Sequence, residues 1–258
     1  MELGLKGKGV VVTGGSKGIG FACARAFLDE GARVGIVSRS RENIEQARAA
    51  LPGVHGIAAD LSDAGAAAGA IAAMTAHLGA IDVLVNSAGA AKRTPPDELS
   101  PQAYRAAMDA KYFPYVNAID PVVKAMAERG SGVIVNVIGN GGKVASRVHI
   151  PGGAANAALM LVTAGLATAY APRGVRVVAI NPGGTETGRV AEGLAAEARL
   201  AGIDVEEARR ASVARIPLGR MASPEEIANA VLFLASGKAS YITGVSISMD
   251  GAANPVVV

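Results

Sequence analysis

The chain has 258 residues, with 25 Lys and Arg against 22 Asp and Glu, a formal charge of +3, half of its residues hydrophobic, 3% aromatic and no Trp. The positive excess is small and scattered, with no basic run longer than the Arg39 to Arg41 patch, and a nucleic-acid partner is not indicated. The core must therefore be filled with Ala, Val, Leu and Ile, whose small side chains let helices lie close to a sheet.

The lone Cys23 cannot form an internal disulfide, which fits a reducing, cytoplasmic compartment. The N-terminal apolar stretch runs straight into a glycine loop and lacks a signal-peptide layout. The most apolar long segment, Ala154 to Ala171, holds Asn156, Thr163, Gly165 and Thr168 and is read as too short and too polar to span a bilayer, so no membrane association is expected. No metal site is expected either.

Strand and helix patterns alternate along the chain. Strands are expected at Gly9 to Thr13, Arg33 to Val37, Val54 to Ala59, Asp82 to Asn86, Gly132 to Ile138, Val175 to Ile180 and Val245 to Met249. Between them, helices are expected at Ile19 to Glu30, Arg41 to Leu51, Asp63 to Leu78, Pro101 to Glu128, Ala154 to Tyr170, Arg189 to Ala214 and Pro224 to Ser236. Pro114 and Pro121 should kink or break the long fourth helix. Continuous apolar strands separated by helices argue for a parallel sheet covered on both faces. No polar linker marks a second domain, so residues 1–258 read as one α/β domain.

The sharpest local signal is Thr13-Gly14-Gly15-Ser16-Lys17-Gly18-Ile19-Gly20, between the first strand and the first helix. Gly14 permits a turn that a Cβ would obstruct, Gly18 lets backbone approach a pyrophosphate, and Gly20 lets helix pack on strand. The helix N-terminus offers free N–H groups and a positive dipole end to phosphates. This is the context of a dinucleotide-binding, Rossmann-type fold. The second strand ends Val37-Ser38-Arg39-Ser40, with no acid to take a ribose 2′-hydroxyl. Arg39, with Lys17 and Ser38, could meet a 2′-phosphate, which favours NADP over NAD.

Further segments carry a resemblance. Asp60-Leu61, Asn86-Ser87-Ala88-Gly89, Asn181-Pro182-Gly183-Gly184-Thr185-Glu186-Thr187, Ile216 to Arg220, Pro224 to Ala228 and Asp250-Gly251 together resemble the short-chain dehydrogenase/reductase family over about residues 5 to 253. The resemblance implies a doubly wound parallel sheet of about seven strands with helices on both faces, and an oxidoreductase acting on a small carbonyl or alcohol. It implies that Asp60 contacts adenine, that Ala88 and Gly89 leave room for the cofactor, and that Thr187 holds the nicotinamide carboxamide. Asn86 could instead tie neighbouring strands together, and Asp60 could cap the following helix. The resemblance also implies a homodimer or homotetramer, paired through Pro101 to Glu128 and Ala154 to Tyr170.

The family's four catalytic groups do not align. Counting back from Pro182-Gly183, its Tyr place holds Gly152 and its Lys place Asn156. Its Ser place holds Gly139, or Asn140 if the loop shifts, and its Asn place Lys111. Glycine cannot move a proton, and carbonyl reduction needs an acid matched near neutral pH. Lys111, expected to point into the cleft, is one candidate, since desolvation would lower its pKa; it could equally fill the vacated ammonium site without chemistry, or lie at the surface. His149, in the loop Lys143 to Pro151, titrates in the right range but could be a surface histidine. Asn156 can still bond ribose hydroxyls. Arg147 could bind an anionic substrate, and Tyr112 and Tyr115 read chiefly as packing residues. Two alternatives stay open: a dinucleotide-holding protein without turnover, and a lyase or isomerase on the same fold. Arg189 to Ala214 is expected to cover the cleft.

Overall fold

The computed structural model describes residues 2–89 and 91–256. Gly9–Thr13 (β1) reads Gly-Val-Val-Val-Thr, and every residue in it is buried, as a strand covered on both faces requires. The other strands are Arg33–Ser38 (β2), His55–Ala58 (β3), Val83–Asn86 (β4), Gly132–Val137 (β5), Val175–Pro182 (β6) and Ser246–Met249 (β7). All pair in parallel, in the order β3-β2-β1-β4-β5-β6-β7. The chain thus winds outward from β1 to β3, returns to β4 and winds the other way. This is the doubly wound sheet expected from the alternation.

Gly18–Asp29 (α1), Arg41–Ala50 (α2) and Ala64–Leu78 (α3) connect the first four strands. Asp63 caps α3, accepting from the Ala66 amide at 2.7 Å. One sheet face carries Cys23, Ala24 and Phe27 of α1 packed with Ile227, Val231 and Leu234 of the helix Pro224–Ala235. The other carries Ile71 and Met74 of α3 with Tyr115, Ile119 and Leu159.

The expected long helix is divided differently. Pro101–Ala107 (α4) leads into a π-helical segment, Met108–Tyr112, and then into Phe113–Arg129 (α5). Pro114 stands in the first turn of α5, where a missing N–H costs little, and Pro121 lies inside α5 without ending it. Pro114 cannot donate to the Ala110 carbonyl four residues earlier, and the widened turn turns Lys111 inward to 7% exposure.

Ile150–Tyr170 (α6) begins four residues earlier than expected and is long and apolar enough to cross a membrane, correcting the reading of this segment as too short. Ala155, Leu159, Thr163 and Ala167 of its inner face are buried against the sheet, the usual situation of a core helix. The charged segment after β6 forms two helices, Gly188–Ala201 (α7) and Val205–Ala214 (α8). Gly202 ends the first at φ 67°, and Asp204 caps the second through the Glu207 amide at 2.8 Å. Pro224–Ala235 (α9) opens on a capping box between Ser223 and Glu226.

A line of polar side chains crosses the apolar interior. Thr13 Oγ1 donates to Asn86 Oδ1 at 3.2 Å, Asn86 Nδ2 to Asn136 Oδ1 at 3.0 Å, and Asn136 Nδ2 to Thr163 Oγ1 at 3.0 Å. Thr163 in turn donates to the Leu159 carbonyl at 2.8 Å. All four side chains are fully buried, so each link is needed by its neighbours. Thr163→Val removes the acceptor from Asn136 and should cost about 1–3 kcal/mol, read as a lower urea midpoint with an unchanged slope.

Candidate functional site

The strand order reverses between β1 and β4, and ligands of open α/β sheets bind outside the carboxyl ends of strands at such a point. Both flanks of this crevice are built by close backbone approach. Gly14, at φ 68°, lies so near the end of β4 that a Cβ would stand 2.7 Å from the Ser87 carbonyl oxygen. A Cβ on Gly20 would strike the Gly14 carbonyl, so α1 can pack on the loop only with glycine there. Gly18, at φ 55°, has a clear outer side apart from Thr187 Cγ2, 3.4 Å from where a Cβ would be. The loop thus leaves open the cradle that a pyrophosphate needs, at a helix N-terminus with no acidic residue in its first turn. A dinucleotide fits the residues present.

The loop meets β2 directly. Ser16 Oγ donates to Ser38 Oγ at 2.9 Å, while Lys17 and Arg39 are exposed beside them. Ile19 is half-buried and packs against the core. Asp60, also exposed, accepts from the amide of Ser62 at 3.0 Å and its hydroxyl at 2.8 Å. These bonds, with a smaller contribution from the Arg39 charge, hold its pKa below the ordinary value. It is Asp63, not Asp60, that caps α3. Leu61 is buried in the core, and its carbonyl accepts from Asn117 at 2.9 Å.

Asn86 gives its side chain to the buried polar line, the strand-tying alternative, and lends the crevice only its backbone position. A Cβ on Gly89 would strike the Ala110 carbonyl, so this close backbone approach requires glycine there. Ala88 is half-buried, its amide donating to Thr13 Oγ1 at 3.3 Å. The turn after β6 brings Pro182 and Gly183 beside β7 through the Gly183 amide to the Met249 carbonyl at 2.9 Å. Thr185 is buried and Thr187 Oγ1 donates to the Thr185 carbonyl at 3.3 Å, which sets Thr187 against the glycine loop.

The candidate chemical groups converge from three elements. Lys111 Nζ donates to Tyr115 Oη at 2.8 Å and to the Val137 carbonyl at 3.2 Å, and lies 4.6 Å above the Tyr115 ring. Tyr115 Oη donates to the same carbonyl. Burial, then the Arg189 charge, lowers the Lys111 pKa to about 7, while burial pushes the Tyr115 phenol above its ordinary value and removes it as an acid. Lys111 is thus neither exposed nor unpartnered.

His149 is half-buried rather than on the surface. Its ring lies over Gly152: a Cβ there would strike Cε1 and stand 2.6 Å from Nε2 and 2.7 Å from Nδ1. Burial, then Arg93, Arg189 and Lys111, hold its pKa down to about 4, so the imidazole is neutral near pH 7. Its Nδ1 is buried with no hydrogen-bond partner among the described residues. Asn156 is buried next to this ring's helix turn, its Nδ2 3.4 Å from where Cβ atoms on Gly139 and Gly141 would be. Asn140 points away, donating to Asp250 Oδ2 at 2.6 Å. Arg147 is exposed and Tyr112 half-buried against the core.

Arg93 went unnoticed in the sequence. It follows β4 in a Pro-rich loop, and only the pairing of the Thr94 amide with the Val148 carbonyl, 3.0 Å, brings that loop against His149. Gly152→Ala should expel the imidazole from its place, since the substitution itself favours the helix. The His149 titration, assigned by NMR against His149→Gln, should then climb from about 4 toward the ordinary value. A His149 still titrating near 4 in the variant contradicts this packing.

The family model described as Enoyl-(Acyl carrier protein) reductase matches residues 14–254. The chain is 34% identical to a 3alpha-hydroxysteroid dehydrogenase of Mediterraneibacter gnavus, covering 98% of this chain and 99% of the relative. It is 36% identical to a D-threitol dehydrogenase of Mycolicibacterium smegmatis, over 96% and 93% of the two chains. A crystal structure of an actinorhodin polyketide ketoreductase variant with NADPH superposes at a TM-score of 0.92 with 28% identity, covering 95% of this chain and 97% of that one. With crevice, strand order and sequence in agreement over nearly its whole length, the chain belongs to the short-chain dehydrogenase/reductase family.

Proposed function

We propose that the protein is an NADP-dependent oxidoreductase of a small carbonyl or alcohol, with Lys111 as its proton-carrying residue in place of a tyrosine. The observation that carries this reading is the desolvated Lys111 ammonium, with a pKa of about 7, held by Tyr115 and Val137 at the crevice. An acid–base group works best when its pKa lies near the operating pH. When bound, the nicotinamide supplies or accepts the hydride.

The 14–20 loop and the α1 N-terminus hold the pyrophosphate. Arg39, Lys17 and Ser38 take the 2′-phosphate, Asp60 and Leu61 border the adenine, and Thr185 and Thr187 orient the carboxamide. Gly152 and Asn156 stand at the family's Tyr and Lys places. Asn156 bonds the ribose, and the neutral His149 imidazole donates to the substrate oxygen without carrying the proton. The domain is completed by α7 and α8 as the cover of the cleft. A cytoplasmic location suits the single buried Cys23. Homodimers formed through α5 and α6 would cover Phe113 and Leu161, exposed at 40% and 76%.

One observation favours a second reading, a dinucleotide-holding protein without turnover: two of the Lys111 protons are already spent inward. Following NADPH absorbance with a panel of aldehydes, ketones and quinones separates the two. Under the first reading Lys111→Met lowers turnover by about 10²-fold or more with NADPH binding intact. Carbonyl reduction uses the ammonium, so its rate is full below pH about 7 and falls as pH rises through it; alcohol oxidation uses the free amine and rises through the same pH. NADPH bound without any turnover supports the second reading.

Cofactor choice is tested apart from catalysis. Arg39→Ala should weaken NADPH about tenfold or more by calorimetry, the worth of one charge-assisted hydrogen bond, and leave NADH unchanged. Equal affinity of the native protein for NADH and NADPH contradicts the role given to Arg39.

A further inference from the structure

Four basic side chains from four segments neighbour one another around a basic basin beside the crevice: Arg93 after β4, Lys111 of the π segment, His149 before α6 and Arg189 of α7, with His149 within reach of the other three charges. Their placement is built. Arg189 Nη2 donates to the Ala91 carbonyl at 2.7 Å, which carries α7 over the loop that bears Arg93. Arg93 lies across Gly193 of α7, where a Cβ would stand 2.9 Å from both Nε and Nη2. The Thr94 to Val148 bond ties that loop to the one that ends in His149.

The charge in the basin is not matched. Arg93 Nη1 reaches Glu197 Oε1 at 3.3 Å, but Glu197 is shared with Arg215, whose Nη2 is 3.9 Å from its other oxygen. Glu192, 4.0 Å from Arg189, has a side chain 78% exposed. Lys111 has only neutral partners, a phenol and a carbonyl. Like charges held together in a partly dehydrated cleft repel, and an anion that binds there relieves the repulsion. The neighbouring His149 Nδ1 is buried without a hydrogen-bond partner among the described residues.

We infer that this basin takes the oxyanion head group of the substrate, with Arg93 and Arg189 as the residues that select for it. The inference rests on the proposed oxidoreductase reading and names its substrate class: a small carbonyl or alcohol that bears a carboxylate or a phosphate. Guanidinium groups suit either, since their planar forks match both geometries.

The test uses the full chain, with and without saturating NADPH, and three probes of one chain length: octanoate, octyl phosphate and octanamide. Affinity is read by calorimetry and from the His149 imidazole by NMR. At least one of the two anions should bind about tenfold or more tighter than the amide, and the tighter one identifies the head group. The bound anion should also raise the His149 pKa, because a neighbouring negative charge favours the imidazolium. Arg93→Met with Arg189→Met should erase the preference. Equal affinities, absence of binding by all three, or a preference kept in the double variant overturns the inference. Comparing acid with amide on the native protein needs no variant to fold. Anion preference without NADPH turnover sinks the oxidoreductase reading alone; turnover of neutral carbonyls with no anion preference sinks this inference alone.

Discussion

The crevice depends on a chain of hydrogen bonds that the apolar core would not tolerate half made. Thr13, Asn86, Asn136 and Thr163 join β1, β4, β5 and α6 through side chains with no solvent to fall back on. The links sit at the carboxyl ends of β1 and β4, where the sheet reverses its winding. Thr13 Oγ1 also accepts from the amides of Ser87 and Ala88, at 3.2 and 3.3 Å, so one hydroxyl shapes the segment that faces the glycine loop. An apolar core would hold the strands equally close, but it would not fix their register at the mouth. Register at the ends of β1 and β4 is what brings Gly14 against Ser87.

Against that rigid floor, the walls are electrostatically unfavourable. Lys111 loses its hydration and faces Arg189, and His149 faces three cations. A buried group in such surroundings gives up its charge before the fold gives way, which is why both pKa values fall rather than rise. The same effect separates the two groups in protonation. An imidazole pulled to about 4 is neutral near pH 7, whereas an amine pulled to about 7 is divided there between its charged and neutral forms.

Much of this was legible in the residues. The apolar strand runs and the loop from Gly14 to Gly20 announce a parallel sheet and its phosphate end, because backbone periodicity and close approach leave direct marks on residue choice. What stayed hidden depends on contacts between distant segments. The π-helical turn at Met108–Tyr112 precedes Pro114, and the loop at Gly89, distant in sequence, approaches its Ala110 carbonyl. The even choice at Asn86 turned on whether Asn136 and Thr163 stood opposite, which register alone decides. Arg93 carries no local signal, since a single arginine in a loop looks like any solvated charge until the Thr94 to Val148 bond draws it in. The start of α6 lies before the expected Ala154, at Ile150, because proline in a first helical turn is favourable and tertiary packing overrides the low propensity of Gly152 and Gly153.

Gly152 makes room for a neighbouring side chain. The room over it is filled by the His149 ring, which no other residue at 152 would admit. The backbone fixes that ring from both sides, with the His149 amide donating to Ser146 and its carbonyl accepting from Gly153 at 3.0 and 2.7 Å. His149 stands at the N-cap of α6 without capping it, so its side chain is released from the usual task of that position. The glycine, the early helix start and the imidazole are therefore one arrangement. It lays the imidazole along the helix turn, with Nδ1 buried and without a hydrogen-bond partner among the described residues.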